Sequence, residues 1–473
     1  MTIFFKPSDG WAGDFIPFYW QGEYHLFYLK DYRDKVNHGE GTPWFHIGTR
    51  DFVRFADYGE AIPRGRVDEQ DLYIFTGCAM EKDGVFHIFY TGHNPHLRAA
   101  GKPEQAVMHA TSSDLVHWQK DPANPILFAD PNLYEIHDWR DPFVFWNAEA
   151  GEYWMLLAAR KKEGPVNRRG ITAVAASKDL QEWVIRDPFW EPDLYFTHEC
   201  PDLFRIGDWW YLVYSTFTER NITHYRMSRS LNGPWSAPVN DSFDGRAFYA
   251  AKTASDGKRH FAFGWDPTRT HESDVGGWNW GGDLVVHEVM QEADGSLSVR
   301  MPAEVRAYFK PAAKTTVMPR IGEWNAHQGV YRAAAFDRFA WAAVDGVPSK
   351  TSLLSATIRV SADTRGVGFV LRADATLDHY YQLRLEPGRQ RIVFDRSPRP
   401  GDEAPIIERP VKIEAEAAIK LEVIVEGSVI VAYVDDQVAL STRGYEHTGG
   451  QYGLFVSEGS ATFSDVELCA ATV

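Results

Sequence analysis

At 473 residues the chain is longer than a single ordinary core requires, and its length implies two or three domains. With 44% apolar and 24% charged residues it has a soluble globular composition, and no apolar run approaches the roughly 18 residues of a membrane span. A net charge of −16, carried by acids dispersed along the chain, supplies no basic stripe; this disfavours nucleic acid and an anionic membrane as partners and favours a small uncharged ligand.

The chain then declares a repeat. A glycine followed by an aromatic or apolar strand appears as Gly22-Glu-Tyr-His-Leu-Phe-Tyr28 and again as Gly84-Val-Phe-His-Ile-Phe-Tyr90. Three further copies begin at Gly151, Gly207 and Gly257, so successive glycines lie 62, 67, 56 and 50 positions apart. A second motif interleaves with the first: Arg50-Asp-Phe-Val-Arg-Phe55, Ser113-Asp-Leu-Val-His-Trp118 and Lys178-Asp-Leu-Gln-Glu-Trp183, with a degenerate copy at Leu231-Asn-Gly-Pro-Trp235. Five units of short strands and polar turns, without a credible amphipathic helix, predict an all-β five-bladed β-propeller over residues 1–308.

Residues 309–324, with two prolines, read as a linker. From 325 to 473 the pattern changes to longer strands at Gly366–Leu371, Tyr380–Leu385 and Lys420–Val425, with a turn at Glu386-Pro-Gly388. In the third, Leu421, Val423 and Val425 alternate with Glu422 and Ile424, which predicts one better-buried face and a C-terminal β-sandwich.

Aligning the five units on their glycines exposes the chemistry. Eight positions upstream (ten in the third unit) stand Asp14, Thr76, Asp141, Glu199 and Tyr249. The innermost strands of a propeller converge on its axis, so three carboxylates and two hydroxyls are predicted to ring one funnel. An isolated Asp is usually a solvated turn residue, but these acids sit among apolar neighbours. Two carboxylates in one pocket can act as acid and nucleophile on a glycosidic bond. Arg140 would hold Asp141 ionised and offer a fork to sugar hydroxyls. The setting of Glu199, between His198 and Cys200-Pro201, predicts a raised pKa.

The same residues carry a resemblance. Arg140-Asp141-Pro142, Glu199-Cys200, Phe75-Thr76-Gly77-Cys78, Ala247-Phe248-Tyr249-Ala250 ahead of Gly264-Trp265, and Asp395-Arg396-Ser397 are similar, in order and spacing, to motifs of glycoside hydrolase family 32, the invertase, inulinase and levanase group. The resemblance covers nearly the whole chain. It implies Asp14 as nucleophile, Glu199 as acid/base and Asp141 as transition-state stabiliser, with substrate contacts from Trp11, Arg140, Phe75, Thr76, Tyr249 and Trp265 and with no metal or cofactor. It departs where the family's Trp-Met-Asn-Asp-Pro-Asn-Gly becomes Trp11-Ala-Gly-Asp-Phe-Ile-Pro17, and where Ala247 and Lys252 replace Asp and Gln. Those positions touch substrate rather than catalysis, so the expected substrate is a short or unusual β-fructofuranoside, cleaved with retention.

Alternatives from other classes stay open: a fructosyltransferase or difructose-anhydride enzyme, an inverting arabinan hydrolase, or a non-catalytic carbohydrate-binding propeller. Trp11, Trp44, Trp265, Trp278 and Trp280 are candidate sugar platforms, Trp265 and Trp11 first. The histidines of the repeated strands read as blade residues, with His46 alone a candidate for the pocket rim. The stretch Gly276-Gly-Trp-Asn-Trp-Gly-Gly282 reads as a rim loop or a set of turns. Cys78, Cys200 and Cys469 lie far apart without metal-site spacing, and with no basic-plus-apolar leader they predict a reduced, cytoplasmic location. A homo-oligomer is compatible with the sequence.

Overall fold

The computed structural model describes residues 2–311, 315–346 and 349–471. The repeated glycines sit where the backbone turns left-handed: φ is 88° at Gly22, 83° at Gly84, 66° at Gly151, 56° at Gly207 and 87° at Gly257. Gln21 and Asp83 share that region with the glycine after them, giving two-residue hairpin turns closed by the pairs Trp20–Glu23 and Lys82–Val85. Each turn joins an innermost strand to the second strand of a blade.

Blade I contains Trp11–Trp20, Glu23–Asp31, Trp44–Thr49 and Phe55–Ile62; blade II contains Tyr73–Lys82, Val85–His93, Gln105–Ser112 and Gln119–Lys120. Blade III contains Tyr134–Asn147, Glu152–Lys161, Gly170–Ser177 and Val184–Ile185. Blade IV contains Glu199–Ile206, Trp209–Thr216 and Ile222–Ser228, its outer edge reduced to bridges from His224 to Ser242 and from Met227 to Ser236. Blade V contains Tyr249–Ser255, His260–Arg269, Trp278–Gln291 and Leu297–Arg300, and pairing of Ala12 with Gly282 joins it to blade I.

The interleaved motif has two jobs. Asp114 caps the N–H groups of Val116 and His117, Leu115 adopts φ 67°, and Trp118 donates to the Leu115 carbonyl; Asp179 and Leu180 repeat the turn. The closing ring then packs on the preceding blade, Trp118 edge-on to Phe27 and Trp183 edge-on to Phe89, both at 5.6 Å. Spacing of the motif therefore sets the spacing of the blades.

After a short helix at Ala303–Tyr308 the chain enters the sandwich at once. Residues expected to be linker are partly strand: Phe309–Pro311 pairs with Cys469–Ala471, and Val317–Ile321 pairs with Trp341–Val344. Residues 312–314 of that linker lie outside the described residues. The prolines that suggested a linker stand at a strand end and at a register irregularity, places where a missing N–H is tolerated. The long strand Gln451–Ala471 ties the domain's 13-stranded sheet together, pairing with Val330–Val344 and Gly366–Ala373 in its first half and with Thr351–Val360 in its second.

Strand Ala418–Glu426 corrects a second expectation, since Leu421, Glu422, Val423, Ile424 and Val425 are all at most 2% exposed. Leu421, Val423 and Val425 face the sandwich core, whereas Ile424 joins Leu353, Val429, Val431 and Tyr433 in one apolar cluster with propeller residues such as Phe243, Phe261 and Val285. The outer face of this sheet is an inter-domain core.

Candidate active site

Every innermost strand breaks register where the aligned residues stand: between Gly13 and Ile16, Phe75 and Gly77, Glu199 and Asp202, and Tyr249 and Lys252, and opposite Leu156–Ala158 beside Asp141. Asp14, Asp141, Cys200 and Ala250 take φ of 49°, 58°, 52° and 48° there. A bulge re-aims a side chain that a regular pleat would send into the blade. In blade II the close approach falls on Gly77, whose added Cβ would lie 2.0 Å from the Phe89 carbonyl oxygen.

Asp14 accepts from Thr76 Oγ1 at 2.5 Å on one carboxylate oxygen and from Trp265 Nε1 at 3.1 Å on the other. Burial, reinforced by the charges of Asp141 and Glu199 and opposed by those two donors, pushes its pKa up to about 7. Glu199 accepts from Arg140 at 2.9 Å and from the Tyr249 hydroxyl at 2.5 Å. Burial raises its pKa too, against the pull of Arg140. The Tyr249 phenol is driven well above its ordinary range by burial and by Glu199, so it donates as a neutral group. Asp141 is held from two sides: its N–H donates to Thr91 Oγ1 at 2.7 Å, and its carboxylate accepts from the Cys200 N–H at 2.9 Å. Arg140 spans the ring, reaching Asp138 at 2.9 Å and lying 3.7 Å from Asp141.

These groups open into a cavity of about 500 Å³ lined by Asp14, Phe75, Arg140, Asp141, Glu199 and Tyr249 among the expected residues. Thr76 and Trp265 lie behind it, 1% and 4% exposed, and act on Asp14. Trp11 does not line the cavity; its ring takes the cations of Lys6 and Arg33, each 4.6 Å from the centroid. Lys252, expected near substrate, is buried and donates to the Pro201 carbonyl at 2.8 Å. His46 is buried in blade I, stacked on Phe27 at 4.3 Å, and Trp44 is fully buried.

Sequence reasoning missed Leu29, Asp31, Thr42, Tyr73, His93 and Pro95, which also line the cavity. Leu29, Asp31 and His93 come from the ends of second strands, Tyr73 from the start of an innermost strand, and Thr42 and Pro95 from connecting segments, all outside the repeat position that exposed the acids. His93 stacks on Phe75 at 4.5 Å, and burial lowers its pKa to about 4, so it is neutral at physiological pH.

Comparison with known proteins agrees with this fold. Residues 4–294 match the model of the glycosyl hydrolases family 32 N-terminal domain, and 332–470 match that of the family's C-terminal domain. The sucrose-6-phosphate hydrolase of Zymomonas mobilis is 28% identical over 283 residues, 54% of this chain and 52% of that protein. The levanbiose-producing levanase of Bacillus subtilis is 27% identical over 264 residues, 53% of this chain and 45% of that protein. These matches span about half the length of those relatives. Among solved structures, fructan 1-exohydrolase IIa from Cichorium intybus superposes with a TM-score of 0.77 at 16% identity, covering 99% of this chain and 96% of that one. Exo-inulinase from Aspergillus awamori does so with a TM-score of 0.75 at 16% identity, covering 99% and 97%. With both domain models matched in order around a propeller and a sandwich, the chain belongs to glycoside hydrolase family 32.

Proposed function

We propose that this chain hydrolyses short, uncharged β-fructofuranosides by double displacement with retention. The observation that carries the reading is the pairing of Asp14 and Glu199 in one cavity, each with its own hydrogen-bond donors, with burial raising the pKa of Glu199 as a proton donor requires. Asp14 as carboxylate attacks the anomeric carbon while Glu199 gives its proton to the departing oxygen, so the glycosidic C–O bond breaks as the ester forms. Glu199, now ionised beside Arg140, takes a proton from water; the hydroxide oxygen bonds to the anomeric carbon and the Asp14 ester is released. Asp141 and Arg140 grip ring hydroxyls. Thr76 and Trp265 fix the nucleophile's orientation.

Charge argues for a neutral substrate. The described lining carries Asp14, Asp31, Asp141 and Glu199 against one cation, Arg140, which Glu199 and Asp138 already occupy. A phosphate monoester would enter an acidic funnel with no free counter-charge. We therefore expect higher kcat/KM for neutral short fructosides than for sucrose 6-phosphate. The mechanism is tested by turnover in dilute methanol with identification of the methyl fructofuranoside formed. The β anomer is expected from two inversions; the α anomer would overturn retention.

A further inference from the structure

Gly13, the residue before Asp14, has no side chain, and the structure shows what stands in its place. A Cβ on Gly13 would lie 2.6 Å from Cζ2 of Trp280 and 2.9 Å from two further atoms of the same indole. Gly13 has no left-handed φ, so space and not backbone conformation excludes a side chain there. Trp280 lines the cavity, is 36% exposed, and lies 6.0 Å from Trp265, the ring that donates to Asp14. Leu29, the strand partner of Gly13, lines the same wall.

The backbone at Trp280 is anchored to blade I. Arg33 donates to the Trp280 carbonyl at 2.5 Å, and the Arg33 guanidinium lies over Trp11. Gly281 turns at φ 78° with its added Cβ 3.1 Å from the Ala12 carbonyl oxygen, and Gly282 pairs with Ala12 across the seam of blades V and I. The stretch read as a rim loop or a set of turns is thus the start of a strand whose glycines let it press against blade I.

Resting on the fructofuranosidase reading, we infer that Trp280 is the specificity determinant of the site. It presents an aromatic face to the sugar ring seated against Asp14, on the side where a residue at 13 would otherwise offer a hydrogen bond. An indole face takes up C–H edges and offers a hydroxyl nothing in return for lost water. The ring it selects is one whose hydroxyl on that side is consumed by a linkage, in a neutral fructoside of two rings, a size suited to a cavity of about 500 Å³.

The test measures kcat and KM on sucrose, inulobiose, levanbiose and a difructose anhydride for the wild type and for Trp280→Ala, Gly13→Asn and the double variant Gly13→Asn/Trp280→Gly. In the wild type, the difructose anhydride, the one substrate of the four whose reacting ring has a further hydroxyl tied up in a linkage, exceeds sucrose about tenfold or more in kcat/KM. Trp280→Ala collapses that ratio about tenfold, chiefly through KM. Gly13→Asn alone loses activity on all substrates, and the double variant recovers it with preference moved toward sucrose. Trp280→Leu, which keeps an apolar wall, stands in for any variant that fails to fold, and it is expected to lower the ratio partway. Ratios within twofold of the wild type in folded Trp280 variants would overturn the inference while leaving the activity standing. Sucrose preferred by the wild type would also overturn it. A wild type inert on every fructoside would instead sink the fructofuranosidase reading, and this inference with it.

Discussion

Asp14 condenses the argument into one side chain. Its ionised form is disfavoured by burial and by two neighbouring acids, yet both of its oxygens are held by donors. Asp14→Asn and Glu199→Gln are each expected to lower kcat by about 10²–10⁴-fold or more with folding intact. Stability should move the other way for Asp14→Asn. In the unfolded chain Asp14 loses its proton near 3.8, whereas in the fold it keeps it to about 7. Between those values the native state binds the proton that the unfolded state has lost, so wild-type stability falls as pH rises through this window. The asparagine variant escapes that loss. Urea unfolding should show it little changed near pH 4 and more stable than wild type at pH 8, by up to about 4 kcal/mol. Thr76→Val removes a hydrogen bond that lowers the pKa of Asp14, so the acidic limb of the kcat/KM profile should move up by about one pH unit. The acids were legible because the repeat offered a ruler: eight or ten residues back from a glycine. Trp11 and Lys252 were misplaced because proximity in sequence was taken for proximity in space, and the bulges at Gly13–Ile16 and Tyr249–Lys252 break that link.

Among the elements, the glycines divide into two kinds that sequence cannot separate. Gly257 makes a hairpin turn with open space around it, while Gly282 sits where an added Cβ would be 1.8 Å from the Asp266 carbonyl oxygen. Gly257→Ala is expected to cost about 1–2 kcal/mol, the price of a left-handed alanine. Gly282→Ala should cost more, about 3 kcal/mol, and should reduce activity out of proportion by shifting Trp280 at the blade V–blade I seam. Denaturant unfolding of the pair, beside their kcat/KM, checks both. The blade pattern itself was readable from glycine and Asp-Leu-x-x-Trp spacing because each motif has a local job, a left-handed turn or a capped one. The strands at Phe309–Pro311 and Val317–Ile321 were not, because their partners lie at Cys469–Ala471 and Trp341–Val344, far along the chain.

For the whole molecule, the contact between domains is a core and not a hinge. Beyond the shared apolar cluster, Arg409 is buried and donates to the carbonyls of Ser242 and Phe243 as well as Ala439. Arg443 donates to the Pro267 carbonyl at 2.8 Å and pairs with Asp283, and Glu426 receives the N–H groups of Ile3 and Phe4. A chain ending at Tyr308 would strip these carbonyls and the apolar face of their partners, and it should be insoluble or unfold well below the full chain. A soluble fragment with full activity would contradict this. The alternation in Lys420–Val425 announced a sheet with one core, but Ile424 belongs to a second core whose other half is the propeller. Only the assembled tertiary structure reveals that.

The central claim is that Asp14 forms a covalent bond to the sugar and Glu199 manages the protons. It is tested most directly by quenching Glu199→Gln during reaction with a fructofuranoside bearing an activated leaving group, then mapping peptides by mass. An activated leaving group needs no acid, whereas release of the ester needs the missing base. A fructosyl adduct on the peptide containing Asp14 is the predicted result. An adduct on Asp141, or continued turnover with no adduct at all, would contradict the account.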